Sequence, residues 1–453
     1  MNEEKDFLEK EPVGKLLLRL ALPTVTAQII NMLYNIVDRI YIGHIPDIGT
    51  LALTGVGVCM PLIMIVTAFS AFTGYGGAPR ASIFMGKGDQ ESAERTLGNG
   101  FVLQIIISVA LTAVLLLWNR DFLLAFGASP NTIEYGVSYM NIYSLGTIFV
   151  ELTLGMNMFI TAQGFAKTGM LSVLIGAVCN IVLDPVFIFG MHMGVRGVAL
   201  ATVLSQACST IWVLAFLTGK KTRLKIRLRN MGLTPSVILP CVALGAATFV
   251  MQSSESIISI CFNSSLLKYG GDLAVGAMTI ITSINQLVAM PVQGICQGGQ
   301  PIISYNYGAD KPERVKKAFF TQFCACVAYT FTFWAVIMFF PQVFASIFTA
   351  NKELVEYSSW ALRIYMAGIF STGFQISCQQ SFMALGQAKV SLLLACLRKI
   401  ILLIPLIFIL PHFLPDKVFA VFLAEPVSDI LAAAATTITF LTLFNSILKK
   451  ETK

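Results

Sequence analysis

The hydrophobic positions of this chain fall in long runs. Apolar stretches cover roughly 16–42, 51–76, 97–118, 132–161, 168–190, 196–218, 236–262, 273–304, 318–340, 354–384, 390–411 and 418–446. Each reaches or exceeds the ~20 residues that a helix needs to cross the hydrocarbon core of a bilayer. The connections are short and leave no room for a separate soluble domain. The pattern predicts an all-α polytopic membrane protein with twelve transmembrane helices.

Polar residues interrupt these runs at helical spacing. Thr24, Gln28, Asn31, Asn35 and Asp38 recur every three or four positions in span one, so they share one face. Span five carries Asn180 and Asp184 one turn apart. Pro185 follows, cannot donate to the carbonyl of Ile181, and predicts a kink with a freed backbone oxygen. Span six offers Thr202 and Gln206 at the same spacing. A charge at mid-membrane costs about 2.5–3.5 kcal/mol on insertion scales, so such faces are expected to look into the bundle. Two carboxylates, an amide oxygen, a hydroxyl and a loose carbonyl are hard oxygen ligands, suited to Na⁺ or a proton and unsuited to a soft metal. The plainer reading is that each polar group only bonds a neighbouring helix. For an isolated Asn or Thr that reading stands first; for Asp38 with Asp184 beside a proline break, the coupling-ion reading does.

The chain repeats itself at an offset of 222 residues. "GGAP" (76–79) recurs as "GGQP" (298–301), "FGASPNTIEY" (126–135) as "FTANKELVEY" (348–357) and "GFAK" (164–167) as "GQAK" (386–389), while Tyr143 and Gly146 match Tyr365 and Gly368. Six spans per half make parallel repeats about an axis along the membrane normal, an organisation common in secondary transporters. The expected domains are an N-lobe (1–218), a basic cytoplasmic linker (219–235) and a C-lobe (236–453). The second half has no counterpart of the acid pair, because Ile260 and Leu406 stand at the matching positions. It has its own polar positions instead. Candidates for a substrate cavity across both halves are Gln28, Asn31, Asn35, Glu151, Gln206, Gln252, Glu255, Gln293, Gln297, Gln375 and Gln379, with Glu255 the foremost for a cationic substrate. Glu425 and Asp429 lie one turn apart beside Pro426. Some of the 18 Met and 33 Phe would give such a cavity an adaptable lining, although most belong to the core or to lipid-facing surfaces.

Composition and charge then fix class and orientation. Hydrophobic residues make up 56% and charged residues 12%, against about 25% charged in soluble proteins. Placing the N-terminus in the cytoplasm puts 24 of the 31 Lys and Arg on that side and 7 on the other. Both termini are therefore expected to be cytoplasmic, in a multi-pass protein of a bacterial plasma or inner membrane. The net charge of +7 is a topology signal, and "KKTRLKIRLR" (220–229) reads as an anchor between spans six and seven with no nucleic-acid partner. No removable signal peptide follows the charged first eleven residues. The ten cysteines contain no C-x-x-C pair and read as buried small apolar groups.

Several motifs are decoys or missing. "GKGD" (86–89) matches a pattern of intramembrane aspartyl proteases, but it lies in a polar loop and lacks the partner motif. The absence of H-E-x-x-H, a Walker A loop and G-x-S-x-G argues against a metalloprotease, an ATP-driven pump and a hydrolase. His44, His192 and His412 are scattered over predicted outer loops.

The stretches "LYNIVDRIYIGH" (33–44), "GGAPRASIFMGKGD" (76–89), "NIVLDPVFIFG" (180–190), "GVRGVALAT" (194–202) and "QPIISYNYGADKPERVKKA" (300–318) give the whole chain a specific resemblance. It resembles the multidrug and toxic compound extrusion (MATE) transporters, in the DinF-type branch and its MepA-like subgroup. The resemblance implies two six-helix lobes forming a V-shaped cleft and export of drugs driven by H⁺ and/or Na⁺. It also implies an N-lobe cation site at the positions of Asp38, Asn180, Asp184 and Thr202, the four that helical spacing selects. The expected substrates are lipophilic, mostly cationic compounds, handled by a monomer in contact with membrane lipid and with no cofactor beyond the coupling ion. Arg398 and Lys399 stand where the first half has Gly176 and Ala177, and only Glu255 represents the paired acids of the NorM-type branch. N-lobe chemistry is therefore not expected to transfer to the C-lobe. The alternatives are a lipid-linked oligosaccharide flippase of the same superfamily, which should carry a strongly basic cavity, and, more remotely, an intramembrane enzyme.

Overall fold

The computed structural model describes residues 7–349 and 351–450, and it is helical with no strand among them. After a short α1 (Phe7–Lys10), the first half contains α2 (Val13–Gly43), α3 (Gly49–Phe69), α4 (Gly74–Gly86), α5 (Gln90–Ala125), α6 (Ile133–Leu145), α7 (Thr147–Ala162), α8 (Ala166–Pro185) and α9 (Val195–Thr218). The second half contains α10 (Pro235–Gly308), α11 (Pro312–Phe339), α12 (Pro341–Phe348), α13 (Lys352–Tyr365), α14 (Ile369–Ala384), α15 (Ala388–Cys396), α16 (Ile404–Phe413) and α17 (Lys417–Lys450). Four predicted spans are each bent or broken between two α-helices. A 3₁₀ turn over Ser70–Phe72 joins α3 to α4, and another over Met366–Gly368 joins α13 to α14. The α6–α7 pair bends by 57°. A π turn over Leu397–Leu403 joins α15 to α16. The 74-residue α10 is two spans divided at Gly271, whose φ of +65° suits a residue without a Cβ. With those breaks counted, the helices account for the twelve spans. Side chains such as Leu117 (70% exposed), Ile211 (68%) and Phe339 (74%) suit contact with lipid.

The chain forms two compact units, and their boundaries differ from the lobes expected at 218 and 236. One unit is Thr26–Phe249; the other is the chain up to Val25 together with the part from Val250 onward. The cuts fall inside α2 and α10. The repeated glycines supply the physical reason. A Cβ on Gly76 would strike the Cys241 carbonyl, so the start of α10 lies backbone to backbone against α4 in the first unit. A Cβ on Gly298, its repeat mate, would strike the Ala21 backbone in the same way, holding the start of α2 in the second unit. Each half thus lends its first helical turns to the unit built by the other half.

The linker also belongs to the first unit. Gln163 Oε1 accepts from the backbone N–H groups of Arg223 (2.7 Å) and Leu224 (2.9 Å), Arg227 Nε pairs with Glu94 at 3.0 Å, and Asn99 Oδ1 accepts from Thr234 N–H at 2.8 Å. The "GKGD" loop has a structural role. Gly88 takes a φ of +78°, and the Asp89 carboxylate caps α5 by accepting from Ser92 N–H at 3.0 Å. Arg398 and Lys399, two of the 24 Lys and Arg expected on the cytoplasmic side, are instead buried at 9% and 4% exposure on the π turn; the charge asymmetry survives their removal. Lys5 and Lys453 lie outside the described residues.

Candidate cation site

In the Thr26–Phe249 unit, α2 supplies Asp38, α8 supplies Asn180 and Asp184, and α9 supplies Thr202. All four are buried: Asp184 is 0% exposed, Asn180 1%, Asp38 6% and Thr202 7%. The Asp38 and Asp184 carboxyl groups are close enough to interact directly. Pro185 ends α8, and the chain continues as a π turn over Val186–Gly190 that closes with Met191 N–H donating to the Val186 carbonyl at 2.8 Å. The missing proline N–H thus produces a local widening of the helix immediately after the acid, a deformation often found at functional positions.

With both acids ionised, the polar atoms of the site find few donors in the protein. Asp38 Oδ1, both Asp184 oxygens, both Asn180 amide atoms and Gln206 Oε1 are buried without a hydrogen-bond partner. Thr202 Oγ1 donates to the Val198 carbonyl at 3.0 Å, which leaves its lone pairs free. Burying such groups costs several kcal/mol unless something compensates them. Concentrated oxygen donors fit a proton or a hard monovalent cation. Asp38 and Asp184 would carry either ion, with Asn180 and Thr202 contributing neutral oxygens to Na⁺.

Two further residues join this site that the sequence reading missed. Tyr34, one turn before Asp38 on α2, and Tyr139 of α6 lie near these acids. Tyr139 stacks on Tyr143 with ring centroids 6.0 Å apart. The helical spacing of Tyr34 to Asp38 was a usable signal, whereas nothing in sequence linked Tyr139 to it.

The cavity candidates divide between the units. Gln28, Asn31, Asn35, Glu151 and Gln206 lie in the first unit, and Gln252, Glu255, Gln293, Gln297, Gln375 and Gln379 in the second. Gln293 and Asn35 are exposed, and Gln28, Asn31, Gln206, Gln252 and Gln297 are half-buried. Glu151, Gln375 and Gln379 are at most 1% exposed and belong to interior networks, which corrects their assignment to a cavity wall. Gln104 Nε2 donates to Glu151 while Gln104 Oε1 accepts from Thr73, forming a buried polar chain across α4's entry, α5 and α7. Gln379 Nε2 donates to the Ser391 carbonyl at 2.8 Å, and Gln375 Oε1 accepts from Arg398 at 3.4 Å. Glu255 is not a bare acid, because Lys399 Nζ lies 2.6 Å from its Oε1.

With two repeats and this geometry in view, comparison with known proteins is decisive. The MatE family model matches residues 23–186 and again 246–409. The chain belongs to the MatE family. MatE proteins are transporters and not enzymes, and the two matches fall in the two copies of the internal repeat. Among curated MatE relatives, the multidrug export protein MepA of Staphylococcus haemolyticus (strain JCSC1435) is 22% identical over 433 residues, 95% of each chain. MepA of Staphylococcus aureus (strain NCTC 8325 / PS 47) is 23% identical over 415 residues, 90% of each chain. Among solved structures, a MATE in complex with MaL6 superposes with a TM-score of 0.91 at 23% identity, covering 98% of this chain and 99% of that one. A MOP superfamily transporter from Pyrococcus furiosus, reported with a reversed polarity of its binding pocket, gives the same TM-score and identity, with 98% of each chain covered. The MATE fold is thereby established for this chain.

Proposed function

We propose that this MatE protein is an antiporter that exports lipophilic, mostly cationic compounds by alternating access, driven by H⁺ or Na⁺ bound at Asp38, Asn180, Asp184 and Thr202. The observation that carries this reading is the set of partnerless oxygens on two buried, mutually interacting carboxylates beside a π-widened helix. The names of the MepA relatives support drug export. Each charge moving down the membrane potential supplies ~2.3 kcal/mol per 100 mV, which drives a substrate uphill only if ion and substrate are exchanged through coupled states. The π turn that follows Pro185 is the point at which α8 would respond to filling of the site. The protein is taken to act as a monomer in a bacterial plasma membrane with cytoplasmic termini. A reporter fused at Lys225 should therefore read cytoplasmic, and a periplasmic reading there would overturn the orientation.

The deciding experiment is ethidium efflux from everted vesicles under separately imposed proton and Na⁺ gradients. At least one gradient should accelerate efflux, and the one that does names the ion. Efflux that ignores both gradients would refute the antiport reading.

A further inference from the structure

In the second unit, two built-in cations meet three acids, and one acid is left over. Arg398 donates to Asp429 Oδ1 through Nε at 3.0 Å and Nη2 at 2.7 Å. Lys399 takes Glu255 at 2.6 Å. Glu425 lies one turn before Asp429 on α17 and has only Arg398 Nη2 at 3.8 Å from its Oε1, beyond hydrogen-bond reach. Its Oε2 has no partner, and the residue is 4% exposed. Lys399, Glu255, Asp429 and Arg398 all act on Glu425 electrostatically, and Tyr365 faces the same group of charges. With every group ionised, the cluster carries one uncompensated negative charge, on a carboxylate buried in a span. Such a charge is strongly unfavourable and is relieved by binding a proton.

We propose that Glu425 is a proton-binding site in the second unit and that Lys399 is the switch that empties it. This rests on the antiport reading but uses residues outside the Asp38–Asp184 site. Glu255 differs from Glu425 in being open, with a side chain 50% exposed. A lipophilic organic cation therefore meets Glu255 first. Pairing there releases the Lys399 ammonium, and Lys399 is the residue next to Arg398, whose Nη2 lies 3.8 Å from Glu425. As Lys399 turns to Glu425, the O–H bond of Glu425 breaks and the proton leaves to water. One cation enters and one proton departs, so the cluster's net charge is unchanged. The neighbouring positions of Lys399 and Arg398 on a π turn suit this division of labour: Arg398 is held by two hydrogen bonds to Asp429 and stays, while Lys399 is held by one contact and moves.

The test uses full-length protein in detergent and tetraphenylphosphonium as the probe. Infrared difference spectra and proton release are recorded on adding the probe to wild type, Asp184→Asn, Glu425→Gln and Lys399→Met. The expected result is loss of a protonated-carboxyl band in wild type that persists in Asp184→Asn and disappears in Glu425→Gln, with one proton fewer released per bound cation in Glu425→Gln. Lys399→Met should bind the probe yet keep the band, and it carries the test alone if Glu425→Gln does not fold. Loss of the band in Glu425→Gln or Lys399→Met as in wild type overturns the proposal, as does its absence in Asp184→Asn. The last outcome would leave the first-unit site as the sole proton site. Failure of the antiport reading itself is seen separately, as vesicle efflux indifferent to both gradients.

Discussion

The two repeats build the same helices around opposite electrostatic designs. In the first unit, Asp38 and Asp184 are buried with no salt bridge among the described residues, and Asp38 Oδ1 and both Asp184 oxygens have no hydrogen-bond partner. In the second, Arg398 and Lys399 occupy the repeat positions of Gly176 and Ala177 and neutralise Asp429 and Glu255. An uncompensated site must draw its counter-charge from outside the protein, which is what an ion-coupling site as proposed here requires. A site that contains its own cations needs far less from solution: Arg398 and Lys399 balance Asp429 and Glu255, and only the charge of Glu425 is left over. Two small residues in one repeat stand where the other has two cations, and the buried charge is balanced differently in each.

The largest effect should come from breaking the first site. Asp184→Asn or Asp38→Asn is expected to abolish gradient-driven efflux in reconstituted protein while expression and melting temperature stay close to wild type. Removing an acid that has no internal partner leaves no orphaned cation behind. Ethidium export by Asp184→Asn that still tracks the gradient would contradict the site's assignment.

The second unit should respond in the opposite way. Arg398→Met leaves Asp429 and Glu425 buried without their guanidinium. Breaking one partner of a buried pair costs about 3–5 kcal/mol. Thermal unfolding in detergent should therefore show a large loss of stability, where Asp184→Asn shows little. Equal melting temperatures for the two variants would dissolve the contrast between a compensated and an uncompensated site.

The smallest expected effect compares the two repeats at a helix start. Asp89 caps α5, whereas its repeat mate Lys311 caps α11 with no side-chain bond and pairs with Glu9 instead. Asp89→Ala should cost about 1 kcal/mol, and Lys311→Ala less. Hydrogen bonds from the Ser92 side chain and backbone hold the Asp89 carboxyl below the ordinary carboxylate range. A depressed value in the folded state means the cap's contribution is full above the unfolded-state value and fades as pH falls through the folded one. The difference in melting temperature between wild type and Asp89→Ala should accordingly shrink in acid; a constant difference would remove the charge from the account.

Much of this was legible in sequence because a membrane makes polar residues conspicuous. Asp38, Asn180, Asp184 and Thr202 stand out at helical spacing within apolar runs, and all four lie buried in one unit. The twelve spans were readable from length alone. Other features depend on contacts distant along the chain. Arg398 and Lys399 look like cytoplasmic end-of-span charges until Asp429 and Glu255 are seen beside them. Gln375 and Gln379 look like a cavity wall until Arg398 and Ser391 take up their polar atoms. The unit boundaries were hidden too, because the linker is the obvious seam by composition while the cuts run through α2 and α10.

Those cuts have a consequence for how the protein is made. The first unit ends at Phe249, beyond the linker, so a ribosome that has finished the first six spans has not yet delivered a piece that this unit requires. The stretch up to Val25 is made before the first unit yet belongs with partners that begin at Val250. The leading segment must therefore wait in the nascent chain through the synthesis of an entire repeat before its own packing surface exists. Order of synthesis and order of assembly are out of step at both ends, and severing the chain at the linker would leave two fragments that each carry a segment the other needs.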